Sequence, residues 1–97
     1  MKPLTTDLSR DDLTPYFLWD EDLALGELRH RLREAPEKER LRLAGKILRE
    51  AAYEEVWGFL RVEDVARDLP KLRRHLGRRR AFWEFLIAEW RSLGLLA

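Results

Sequence analysis

The chain has 97 residues, 45% of them hydrophobic and 38% charged, with a net charge of +1. That length specifies one domain with a modest core, burying roughly 60–65% of the unfolded surface. No apolar run approaches the ~20 residues of a membrane-spanning helix. The opening residues carry no apolar leader stretch, so a cytoplasmic location is expected. The absence of cysteine excludes disulfides, thiolate metal sites and a cysteine nucleophile.

Leucine (19 residues) and arginine (15 residues) dominate, Asn and Gln are missing, and Val, Ile and Thr together number eight. Abundant Leu, Arg, Glu and Ala with few β-branched residues specify helix over sheet. High charge without Asn, Gln or Cys fits a heat-adapted source, and codon bias toward Arg fits as well. Residues 1–22 carry a net charge of −4, residues 23–70 none, and residues 71–97 a net of +5. An acidic head and a basic tail can pair with each other, or each can meet a partner.

Residues 1–15 lack a helical period and contain Pro3 and Pro15. They read as a flexible, extended acidic arm ahead of a single helical domain at 16–97. The dense run Tyr16-Phe17-Leu18-Trp19-Asp20 follows; extended, it would alternate its side chains between two directions. A first helix begins between Asp20 and Ala24, carries Leu25, Leu28 and Leu32 on one face, and ends at Ala35-Pro36. A second runs from Pro36 to about Ala52. Its apolar face is Leu41, Ala44, Leu48 and Ala51, and Arg42, Lys46 and Glu50 fall on the polar side. Short helices are expected at 53–60 and 62–69, the latter closed by Pro70. The last helix starts near Arg78 and puts Phe82, Phe85, Leu86, Trp90 and Leu93 on its core face, with Trp83 and Ile87 beside it. Gly94 stops it. The expected fold is all-α, a compact bundle of about five helices with an extended N-terminal arm.

Catalytic patterns are missing. His30 and His75 have no ligand partners at helical spacing and sit in Arg-rich stretches, so both read as solvated side chains. Neither has an Arg upstream with four to six residues between them, the spacing of helical RNA-cleaving domains. There is no glycine-rich phosphate loop and no nucleophile elbow at Ser9 or Ser92. The expectation is a non-enzyme without metal or cofactor.

Two features exceed this background. Lys71, Arg73, Arg74, Arg78, Arg79 and Arg80 put six positive charges in ten residues, a candidate polyanion-binding surface. The bland alternative is a solvated cap, or pairing with the acidic head. The stretch 62–90 also has the outline of a helix-turn-helix, but its connection is longer than the usual turn. The second feature is the aromatic opening. Tyr16, Phe17, Trp19 and Asp20 are candidate anchors for a protein partner, because aromatic residues dominate interface hot spots; the alternative is a lid folded over the helices.

Tyr16-Phe17-Leu18-Trp19-Asp20, Glu54-Glu55-Val56-Trp57 and Arg79-Arg80-Ala81-Phe82-Trp83-Glu84-Phe85 together resemble a group of small bacterial helical proteins, over roughly residues 16–90. Such proteins are often encoded beside nucleotidyltransferases of the AbiEii toxin type. One departure is Ala24, where the group often has a helix-capping Thr. The resemblance implies an antitoxin-like companion role, by covering a nucleotidyltransferase or by binding operator DNA. The alternative is a small nucleic-acid-binding module using the basic cluster at 71–80. A second copy of the chain is a further partner left open.

Overall fold

Charge patterning and leucine spacing place α2 (Glu37–Glu50) at the centre of the molecule. Pro36 precedes its first turn, where a missing N–H costs nothing, and Glu37 and Glu39 sit at the positive end of the helix dipole. Leu41, Leu43, Ile47 and Leu48 are all buried, so the apolar arc is wide enough for neighbours on several sides. The computed structural model describes residues 3–96, in the order β1 (Leu4–Thr5), β2 (Thr14–Pro15), a 3-10 turn (Tyr16–Leu18), α1 (Leu25–Glu34), α2, α3 (Tyr53–Val56), α4 (Val62–Leu72), two further 3-10 turns (Arg73–His75 and Gly77–Arg79) and α5 (Arg80–Ser92). The expected all-α bundle of five helices is the observed architecture, with dimensions of 44 × 25 × 22 Å.

The arm differs from expectation. Residues 1–2 lie outside the described residues; from residue 3 on, the segment is folded onto the bundle. β1 and β2 pair in parallel, Leu4 with Thr14 and Thr5 with Pro15, and Thr14 is buried. The carbonyls of Leu13 and Asp11 accept the N–H groups of Leu25 and Gly26 at 2.9 and 3.0 Å. Ala24, at the N-cap of α1, offers no side-chain cap, and these carbonyls take over that job. Gly26 makes the approach possible, since a Cβ there would lie 3.3 Å from both the Asp11 carbonyl oxygen and Cβ. Arg29 fastens the arm by donating to the Leu8 carbonyl at 3.0 Å while stacking over Phe59 at 4.9 Å.

Two further expectations are corrected. Pro70 does not close α4 but lies inside it. A proline there removes the N–H that the Ala66 carbonyl would otherwise accept, and the Arg91 guanidinium of α5 donates to that carbonyl at 3.0 Å. In α5 the fully buried pair is Trp83 and Ile87; Leu86 and Trp90 are half-buried, and Phe82, Phe85 and Leu93 are exposed at 43%, 66% and 63%. Because α5 is apolar over most of its circumference, spacing alone does not choose its inward face. The indole N–H of Trp83 chooses it, donating to the buried Leu48 carbonyl at 2.8 Å.

Candidate interaction surface

The aromatic opening is split by its turn. The residues form a 3-10 turn rather than an extended run, so neighbouring side chains do not alternate. Phe17 and Leu18 are enclosed in the core, which corrects Phe17 as a partner anchor. Tyr16 is half-buried; its hydroxyl donates to Glu55 and accepts the Ala52 N–H at 2.8 Å. That hydroxyl therefore caps the start of α3. Burial, and then the Glu55 carboxylate, pushes the Tyr16 phenol up. Trp19 remains 60% exposed.

Asp20 holds a cation the spacing had placed on a polar face. Lys46 is buried, its side chain 7% exposed, and its ammonium donates to both Asp20 oxygens at 2.6 and 2.7 Å. The same ammonium lies 5.3 Å from the centre of the Trp19 ring. These hydrogen bonds hold the Asp20 carboxyl below the usual carboxylate range. Tyr16, Phe17, Leu18 and Asp20 thus lock the segment to α2 and α3, the lid arrangement; Trp19 is the most exposed of the five side chains, and the Asp20 carboxylate also reaches water.

Four of the six cations of the basic cluster, Lys71, Arg73, Arg74 and Arg80, line one shallow depression together with Lys38, but three of those four are held by carboxylates. Lys71 pairs with Glu37 at 2.7 Å, and Arg73 and Arg80 share Glu84. Their partners come from α2 and α5, not from the acidic head. That head has its own partners: Asp11 with Arg29, Asp12 with Arg10, and Glu21 with Arg42. The Arg79 guanidinium sits 5.9 Å from the Phe82 ring centre. Arg74 and Arg78 face solvent. Arg74 and Lys38 border the same shallow depressions beside α2.

His75 is not a solvated side chain. Its Cβ rests on Gly45, where an added Cβ would approach to 2.3 Å. Its Nε2 is buried without a hydrogen-bond partner, and its carbonyl accepts from Arg49 at 2.8 Å. Burial, then the charges of Arg74, Arg49 and Arg42, push its pKa below the ordinary imidazole value. Gly45 in a helix interior was the available sequence signal, marking a close approach of another segment.

What sequence spacing missed is the outward side of α5. Phe82, Phe85, Leu86 and Leu93 recur at intervals of three, four and seven, one stripe along a helix. At its upper end Phe82 joins an aromatic cluster: Tyr53 packs edge-on to it at 6.0 Å and Trp83 at 5.0 Å, while Trp57 packs against both Tyr53 and Trp83. Around the C-terminal end, Trp57, Trp90 and Leu95 border a shallow apolar groove. The cluster fixes the Tyr53 and Phe82 rings against a rigid base, so these two lose little freedom when covered. No helix among the described residues is long and apolar enough to cross a membrane, and no group of three metal-ligating side chains occurs among them. Comparison with protein-family models, curated proteins and solved structures gives no match.

Proposed function

We propose that the chain is a non-catalytic interaction domain that lays the outward face of α5 against a polypeptide. One observation carries this reading: Phe82, Phe85 and Leu93 stand 43–66% exposed in a single stripe on a helix whose other face is fully committed to the core. Large apolar side chains left together in water mark a surface that is covered in use. The antitoxin-like companion role is the narrower form, with a nucleotidyltransferase as the polypeptide. It rests on the motif likeness, and most of the motif residues serve the fold: Phe17, Leu18, Val56 and Trp83 are core, and Asp20 neutralises Lys46. The test is a photo-reactive phenylalanine analogue at position 85, compared with one at the exposed Glu34 on α1, illuminated in the native cell. A polypeptide adduct at 85 and none at 34 is expected. No adduct at 85 overturns the reading.

A second reading is favoured by Lys38 and Arg74, which border the same shallow depressions beside α2, and by Arg78 in the α4–α5 connection; none of the three pairs with a carboxylate among the described residues. These can contact a phosphodiester chain. Labelled oligonucleotides at ~50 mM salt decide it: affinity that falls with salt and with Arg74→Ala and Arg78→Ala supports it, and no binding ends it.

A further inference from the structure

We infer that the occupant of the α5 face is α5 of a second copy, packed antiparallel about a two-fold axis; this rests on the reading of that face as a docking surface. The argument is charge complementarity along the stripe. Glu89 lies between Phe85 and Leu93 on the exposed side of α5, and no cation among the described residues pairs with it. Arg79 sits at the opposite end, beside Phe82, and no carboxylate among the described residues pairs with it. Ten residues apart, the two are separated by about 15 Å along a helix and do not meet within one chain. An antiparallel copy with its axis passing near Glu84 brings Arg79 opposite the partner's Glu89 and Glu89 opposite the partner's Arg79. The same register sets Phe82 against the partner's Leu86 and Phe85 beside the partner's Phe82. Glu84 and Arg80 are already paired with each other and need nothing from the other copy.

A foreign partner would have to supply a cation, an apolar ridge and an anion at these separations, whereas the chain carries all three. The arrangement is isologous, the commonest closed symmetry, and it opposes the two helix dipoles. Tyr53, Phe82, Phe85, Leu93 and Leu95, 36–68% exposed, leave on the order of 500 Å² of mainly apolar surface open per copy. A standard interface covers about 800 Å² per partner, so the face is smaller than that of a standard complex, and its strength rests on the fit of rings and charges rather than on area.

Sedimentation equilibrium from ~1 μM to ~1 mM chain tests this, with circular dichroism to show that each variant is folded. Phe85→Asp, Arg79→Glu and Glu89→Arg are each expected to weaken dimerisation at least ~10-fold. Arg79→Glu/Glu89→Arg together restore it to within ~3-fold, because the reversed charges again face each other. A chain that stays monomeric to ~1 mM, a dimer indifferent to Phe85→Asp, or a double reversal no better than the single ones overturns the inference. A monomer whose position-85 analogue captures a different protein sinks the second copy and leaves the docking reading standing. A monomer with no adduct sinks both.

Discussion

Replacing Trp83 with Phe separates a hydrogen bond from the packing around it. Trp83 is fully buried, and its indole N–H is the donor to the Leu48 carbonyl. In an unbroken helix that carbonyl would accept the Ala52 N–H, but α2 ends at Glu50 and the Ala52 N–H goes to the Tyr16 hydroxyl. Trp83→Phe therefore strands a buried acceptor, costing about 1–3 kcal/mol. The lost part of the indole ring adds about 1 kcal/mol. The sum, about 2–4 kcal/mol, lowers the midpoint of thermal unfolding by roughly 10–25 °C in a domain of this size. Trp83→Ala costs more, about 3–5 kcal/mol from cavity formation. Phe82→Ala, the adjacent residue on the outward side, costs less than about 1.5 kcal/mol. Urea unfolding followed by circular dichroism reads all three as midpoint shifts at constant slope. If Trp83→Phe costs under ~1 kcal/mol, or Phe82→Ala matches Trp83→Ala, the assigned rotation of α5 is wrong.

The Lys46–Asp20 pair is expected to respond unequally. Asp20→Asn strands a buried ammonium and costs about 2–4 kcal/mol, whereas Lys46→Met leaves a carboxylate that can reach water and costs under about 1 kcal/mol; equal losses in urea unfolding would refute this. Because Asp20 is held below its unfolded value, its contribution is complete above pH ~4 and lost as pH falls through the folded value. Arg91→Met is expected to cost about 1 kcal/mol by uncovering the Ala66 carbonyl. In a Pro70→Ala background, where the restored N–H can reach that carbonyl, the cost shrinks, and an unchanged cost in the double-mutant cycle would show that Arg91 acts elsewhere. His75 is depressed below its unfolded value, so the chain binds fewer protons there when folded, and stability falls as pH drops from ~7 through the folded value. His75→Leu removes that slope; a slope that persists between pH 5 and 7 assigns it to another group.

Helix positions were legible because leucine spacing reports them directly. Leu25, Leu28, Leu41 and Leu48 are core as their periods require. Periodicity failed where a helix is apolar on more than one side, as in α5, since a moment without a polar face has no direction. It also failed for Lys46: a lysine at a polar-side register reads as solvated, and only the return of Asp20 from a distant turn shows that it is buried. The arm looked flexible because residues 3–15 bury few side chains. What orders it is its backbone carbonyls, those of Leu13 and Asp11 accepting from the N–H groups of Leu25 and Gly26 and that of Leu8 from the Arg29 guanidinium, and carbonyl acceptors leave no mark in hydropathy.

These substitutions share one cause. With no Asn, few Ser or Thr and its Asp residues elsewhere, the chain puts none of the short side chains that ordinarily close helix ends at an N-cap: Ala24, Pro36, Ala52, Arg61 and Arg79 stand there, and none makes a side-chain hydrogen bond. The open groups are met from far along the chain instead: α1 by the arm, α3 by Tyr16, the end of α2 by Trp83, the gap at Pro70 by Arg91. Each such contact ties a local helix end to tertiary structure, so the helices cannot be completed one at a time. This also separates the motif residues by role. Tyr16 and Trp83, conspicuous in the sequence, are spent on closing helix ends within the fold. The outward stripe of Phe82, Phe85 and Leu93 closes nothing inside the molecule, and for that reason it, rather than the aromatic opening, is the surface with which a partner has to be tested.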